Sequence, residues 1–137
     1  MLIVGAVATI GFYQIEVAPK SASSTASSST SVAAPCTATS CIKVMIIPNA
    51  GTTPPGYSPD SITVVIGVNN TVVWSNNDTS GTLHTVSGGT PSSPNTSWGS
   101  GPLSEGESFS YTFTVAGTYP YYCEFHPSVM TGTVIVK

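Results

Sequence analysis

From Ile42 onward the sequence breaks into short runs rich in Val, Ile, Thr, Tyr and Phe, each bounded by clusters of Gly, Pro, Asn or Ser. No other feature limits the possible folds as much. β-Branched and aromatic side chains fit a pleated, half-buried surface, and the punctuating residues supply turns. The candidate strands are 42–47, 61–67, 71–75, 82–86, 107–114, 118–123 and 131–136. Ser108 to Phe113 alternate polar with aromatic, as a strand with one buried face should. No long helical period appears. Seven or eight short strands in about 100 residues predict an all-β fold, a Greek-key β-sandwich. The Gly-, Ser- and Pro-rich stretch 87–106 reads as a long loop holding at most a weak strand. Trp74, Tyr111, Phe113, Tyr119 and Tyr121 read as core or sheet surface, and Met45, in an apolar run, reads as core.

The segment before these runs has a different character. Residues 2–13 form an unbroken apolar or small run. As a helix it would rise about 18 Å, short of the roughly 30 Å apolar layer of a bilayer. Residues 1–19 therefore read as an export signal or short membrane anchor, although the usual positive start is missing. Residues 20–35 are almost all Ser, Thr and Ala and read as a linker, because such side chains bury too little apolar area to offset ordering. The folded domain is expected over 36–137, in an extracytoplasmic setting. Three Asn-x-Ser/Thr triplets, at Asn69, Asn77 and Asn95, agree with that location.

Charged residues make up only 7% of the chain, and its net charge is −3. The cations are Lys20, Lys43 and Lys137, too few and too scattered to neutralise a phosphate backbone, so nucleic-acid binding is excluded. Cys36 and Cys41 are close enough to pair in an oxidising compartment, or else remain two thiols. Cys123 is then the odd cysteine. With His126 and Met130 it forms Cys-x2-His-x3-Met within eight positions. The other histidine, His84, lies in a candidate strand after a polar loop. Two imidazoles, one thiolate and a thioether are the His₂Cys set with a weak axial ligand that defines a type 1 copper centre. Zinc accepts nitrogen and thiolate, but a thioether is a poor fourth ligand for it.

The stretches "YSPDSITVVIGVNNTVVWSNND" and "GTYPYYCEFHPSVMTGTVIV" resemble the first strands and the ligand loop of the cupredoxins, the plastocyanin and azurin family of small copper proteins. The resemblance covers about residues 42–136 and implies one copper per chain, with His84, Cys123, His126 and Met130 as metal ligands. The chain departs from the family in two ways. Its ligand loop combines a short Cys-to-His gap with three residues between His and Met. Thr85 stands where the family often has Asn after the first histidine, and its hydroxyl is expected to take over part of the amide's bonding. The loop leaves two possibilities for the axial position: contact by Met130, or an open site.

The resemblance implies an electron carrier, not an enzyme. It would act as a monomer between redox proteins, membrane-bound ones among them, with electrons passing through the His126 edge and its neighbours Pro127 and Val129. Both histidines are used by one copper, which leaves none for the clusters of multicopper oxidases or the second copper of a nitrite reductase. The alternatives are a copper carrier or storage module, and copper-centred redox of a small molecule such as nitric oxide if the axial position is open. Glu124 reads as solvated, not as a ligand.

Overall fold

In the computed structural model the described residues are 36, 37 and 39–137. The expected signal or anchor (1–19) and linker (20–35) lie outside them. Among the described residues nine strands form: β1 (Cys41–Ile46), β2 (Tyr57–Ser58), β3 (Ser61–Val64), β4 (Thr71–Asn76), β5 (Ser87–Thr90), β6 (Ser93–Gly99), β7 (Ser108–Thr112), β8 (Gly117–Tyr122) and β9 (Thr131–Val136). One sheet has the order β2-β1-β4-β7 and the other β3-β9-β8-β5-β6. The pairs β1/β4 and β3/β9 are parallel; the remaining pairs are antiparallel. The described residues form an all-β sandwich. No helix among the described residues is long and apolar enough to cross a membrane.

The inner faces follow from alternation. On β4, Val72, Trp74 and Asn76 point inward while their neighbours are half exposed. On β1 the inward residues are Val44 and Ile46, which leaves Met45 on the outer face, 45% exposed. The expectation that Met45 belongs to the core is therefore corrected: period two overrides the apolar character of the run. Between the sheets Trp74 meets Phe109, Tyr121 and Trp98, and Trp98 meets Phe113. Trp74, Phe113 and Tyr121 are fully buried, and Tyr111 and Tyr119 pack partly buried against them. Each such ring removes on the order of 200 Å² from water, so this cluster dominates the core's apolar burial.

Two sequence expectations change. Residues 82–86 do not form a strand: His84 makes only an isolated bridge to Leu103, and the strand begins at Ser87. The stretch expected to be a loop folds instead into the β5–β6 hairpin, which joins the sandwich because β5 pairs with β8 through Ser87↔Tyr122 and Gly88↔Tyr121. Cys36 and Cys41 are joined by a disulfide, with Cα atoms 5.6 Å apart, at the start of β1.

Candidate metal centre

The register places the three donor segments at one end of the sandwich. β4 ends at Asn76, and the chain then turns through Asp78 to His84. β8 ends at Tyr122, just before Cys123, and β9 resumes at Thr131, just after Met130. The intervening loop is closed upon itself. Cys123 N donates to Met130 O (3.1 Å), His126 N to Cys123 O (3.2 Å) and Met130 N to His126 O (2.9 Å). The spacing that stood out in the sequence is thus one compact turn.

Within this turn and its neighbour, His84, Cys123 and His126 bring one donor atom each to within 4.8 Å of one another. Cys123 Sγ lies 3.9 Å from His84 Nδ1 and 3.7 Å from His126 Nδ1. A metal bonded in a plane at about 2.3 Å to sulfur and about 2.05 Å to nitrogen separates those atoms by about 3.8 Å. The spacing of thiol and imidazoles therefore fits one small metal ion. Cys123 and His84 are 0% exposed, and His126 is partly exposed. Met130 is also fully buried, packed against Gly56.

Neighbouring polar groups fix the donors. His84 Nε2 lies 2.8 Å from Asp78 Oδ2, so the proton belongs on Nε2, where a carboxylate accepts it, and the Nδ1 lone pair is left for a metal. The backbone of His84 is clamped by Leu103 through N–H···O bonds of 3.2 and 2.7 Å. Thr85 N donates to Cys123 Sγ (3.3 Å), and Tyr57 OH donates to Thr85 O (2.6 Å). The Thr85 hydroxyl accepts from Glu124 N (2.9 Å) and lies within hydrogen-bond distance of Ser87 Oγ (3.1 Å). The Thr85 hydroxyl thereby ties the His84 segment to the Cys123 loop. Glu124 is exposed and accepts from Ser87 Oγ (2.8 Å), outside the donor cluster.

The electrostatics match this arrangement. Burial raises the Asp78 carboxyl's pKa, but the hydrogen bonds from His84, Ser80 and Asn49 outweigh it and hold the group ionised far below the usual range. Burial, with a smaller contribution from His84, lowers the pKa of His126, against an opposing pull from Asp78. Burial, then Cys123 and Tyr121, push the Tyr57 phenol well above its ordinary value. Burial also raises Tyr121, to about 12, against a lowering influence of Trp74.

Sequence reasoning missed Tyr57 and the 47–56 loop. A Cβ on Gly51 would sit 2.6 Å from His126 Nε2, and one on Gly56 would fall on the Met130 side chain. Only glycine lets this loop lie directly over two of the four expected ligands. Its Gly and Pro content reads locally as a turn, and nothing local reveals what the turn covers.

The profile of the copper-binding plastocyanin/azurin family matches residues 50–137. Among solved structures, a purple cupredoxin from Nitrosopumilus maritimus is 30% identical over 70% of this chain and 99% of its own, with a TM-score of 0.61. An amicyanin variant in its reduced state is 29% identical over 71% of this chain and 82% of its own, with a TM-score of 0.52. A copper-containing nitrite reductase from Thermus scotoductus, 23% identical, shares the fold, and this chain spans 22% of its length. No curated protein sequence matches the chain.

Proposed function

Because the chain belongs to the plastocyanin/azurin family of copper-binding proteins, we propose that it is a mononuclear type 1 copper electron carrier. His84, Cys123 and His126 would hold the metal as its strong ligands, and Met130 would offer a weak thioether. When bound, copper supplies a one-electron Cu(II)/Cu(I) couple. The observation that carries this reading is the convergence of one thiol and two imidazoles at S–N spacings of 3.7 and 3.9 Å.

The chain's own residues do the remaining work. The closed 123–130 turn and the Leu103 clamp hold the donors in place, so little needs to move when the oxidation state changes. His126 is the partly exposed ligand and offers the edge for electron passage. Exposed Leu83, Phe125 and Pro127, with half-buried Val129, flank the two histidines in sequence and give partners an apolar docking area. Those partners are redox proteins, membrane-bound ones among them. The disulfide and the apolar N-terminal run support an extracytoplasmic site of action. The burial of Cys123 and His84 favours retaining copper over handing it on, so the carrier or storage alternative gains nothing from this geometry.

Titrating the full apoprotein with Cu(II) tests the reading. An intense thiolate-to-copper visible band should saturate at one equivalent and be absent from Cys123→Ala. Wild-type protein without such a band would overturn it.

A further inference from the structure

Asp78 is 1% exposed, and both of its oxygens are used. Oδ2 accepts from His84 Nε2 at 2.8 Å. Oδ1 accepts from Asn49 N and from Ser80 N, both at 3.0 Å. Asn49 begins the turn that leads to Gly51, and its φ of 57° is left-handed. Two residues on, the Gly51 backbone lies against the His126 ring. Asp78 is positioned in turn by Asn76. The Asn76 side chain accepts from Asp78 N (3.0 Å) and donates to Leu103 O (3.0 Å), the carbonyl that also receives His84 N.

We infer that Asp78 is a positioning residue for the copper centre: one carboxylate orients His84, secures the turn that lies over His126, and biases the centre toward Cu(II). The inference rests on the copper reading above. The bias has a plain origin. A buried anion on the far side of a ligand imidazole makes that imidazole a stronger donor, and it favours the more positive metal state. The cross-bracing has one as well. Replacing Asp78 by Asn leaves a single oxygen where three N–H donors converge, so one donor must face an amide N–H₂.

The experiment uses the full-length, copper-loaded protein and Asp78→Asn, with Asp78→Glu as the conservative partner. In Asp78→Asn the thiolate band should persist, while affinity for Cu(II) falls about tenfold more than affinity for Cu(I). That ratio corresponds to a rise of about 59 mV in reduction potential for a one-electron couple. Asp78→Glu should recover part of the shift. A potential equal to wild type, with only a lowered melting temperature, would show a merely structural carboxylate and overturn the proposal. Absence of the band from wild-type protein would instead sink the copper reading itself. If Asp78→Asn does not fold, nitrogen-15 imidazole spectra of the wild-type Cu(I) protein decide. His84 Nε2–H should be visible, hydrogen-bonded and slow to exchange, and an Nε2–H exchanging like that of an open imidazole would end the proposal.

Discussion

The ligand end of the sandwich and its aromatic middle are buried to the same degree by different means. In the middle, Trp74, Trp98, Phe113 and Tyr121 exclude water by ring-on-ring contact. Two polar atoms buried there, Trp74 Nε1 and Tyr121 OH, have no hydrogen-bond partner. At the ligand end the buried groups are Asn76, Asp78, His84, Thr85 and Ser87, and each has a directional partner. Packing tolerates a stray polar atom because its energy is spread over many weak contacts. A metal site cannot, because the placement of two imidazoles depends on individual bonds. The middle should therefore govern stability, and the ligand end should govern copper.

The largest expected effect tests the first half of that division. Trp74→Ala empties the centre of the aromatic cluster and should cost about 3–5 kcal/mol in the apoprotein, read by chemical denaturation. A loss below 1 kcal/mol would mean that the cluster is not the stabilising element. Gly51→Ala tests the second half. Its methyl group meets the His126 ring, so copper affinity should fall about tenfold while the apoprotein's melting temperature hardly moves. If stability falls and affinity holds, the ring has yielded and the loop is a packing element.

A smaller contrast uses two buried tyrosines of nearly equal exposure. Tyr57→Phe leaves the Thr85 carbonyl without its donor and should cost about 1 kcal/mol; Tyr121→Phe removes an unpaired hydroxyl and should be close to neutral. Equal costs would erase the distinction between the two regions. The last test is a slope with pH. Both phenols stay protonated in the fold above the pH at which the unfolded chain ionises, so unfolding releases protons and stability falls as pH rises. The loss should begin near pH 10 and run at about 1.4 kcal/mol per pH unit for each tyrosine. For Tyr121 it levels off near 12. Each Phe variant should flatten its own share of the slope, measured as denaturation midpoint against pH.

Strands β1, β3, β4, β7, β8 and β9 were legible because their residues carry β-branched or aromatic character with period two. The β5–β6 hairpin was not. Its Gly88 reads as a loop signal, yet a Cβ there would lie 2.5 Å from Trp98 Nε1, so packing demands the glycine. The same logic hid Gly51 and Gly56. His84 was found as a donor but wrongly set in a strand, because the Leu103 bridge that holds it lies in a segment without periodicity.

By itself the sequence determined the all-β class and the chemical identity of the donor set. Strand period is local, and three of the four expected ligands lie within eight positions, where a single turn must gather them. Only the tertiary structure decided which groups complete the site. Tyr57 reaches Thr85 across 28 residues, Asp78 reaches Asn49 across 29, and Thr85 reaches Cys123 across 38. Such bonds form because the sandwich brings distant loops to one end, where each buried polar atom must find a partner.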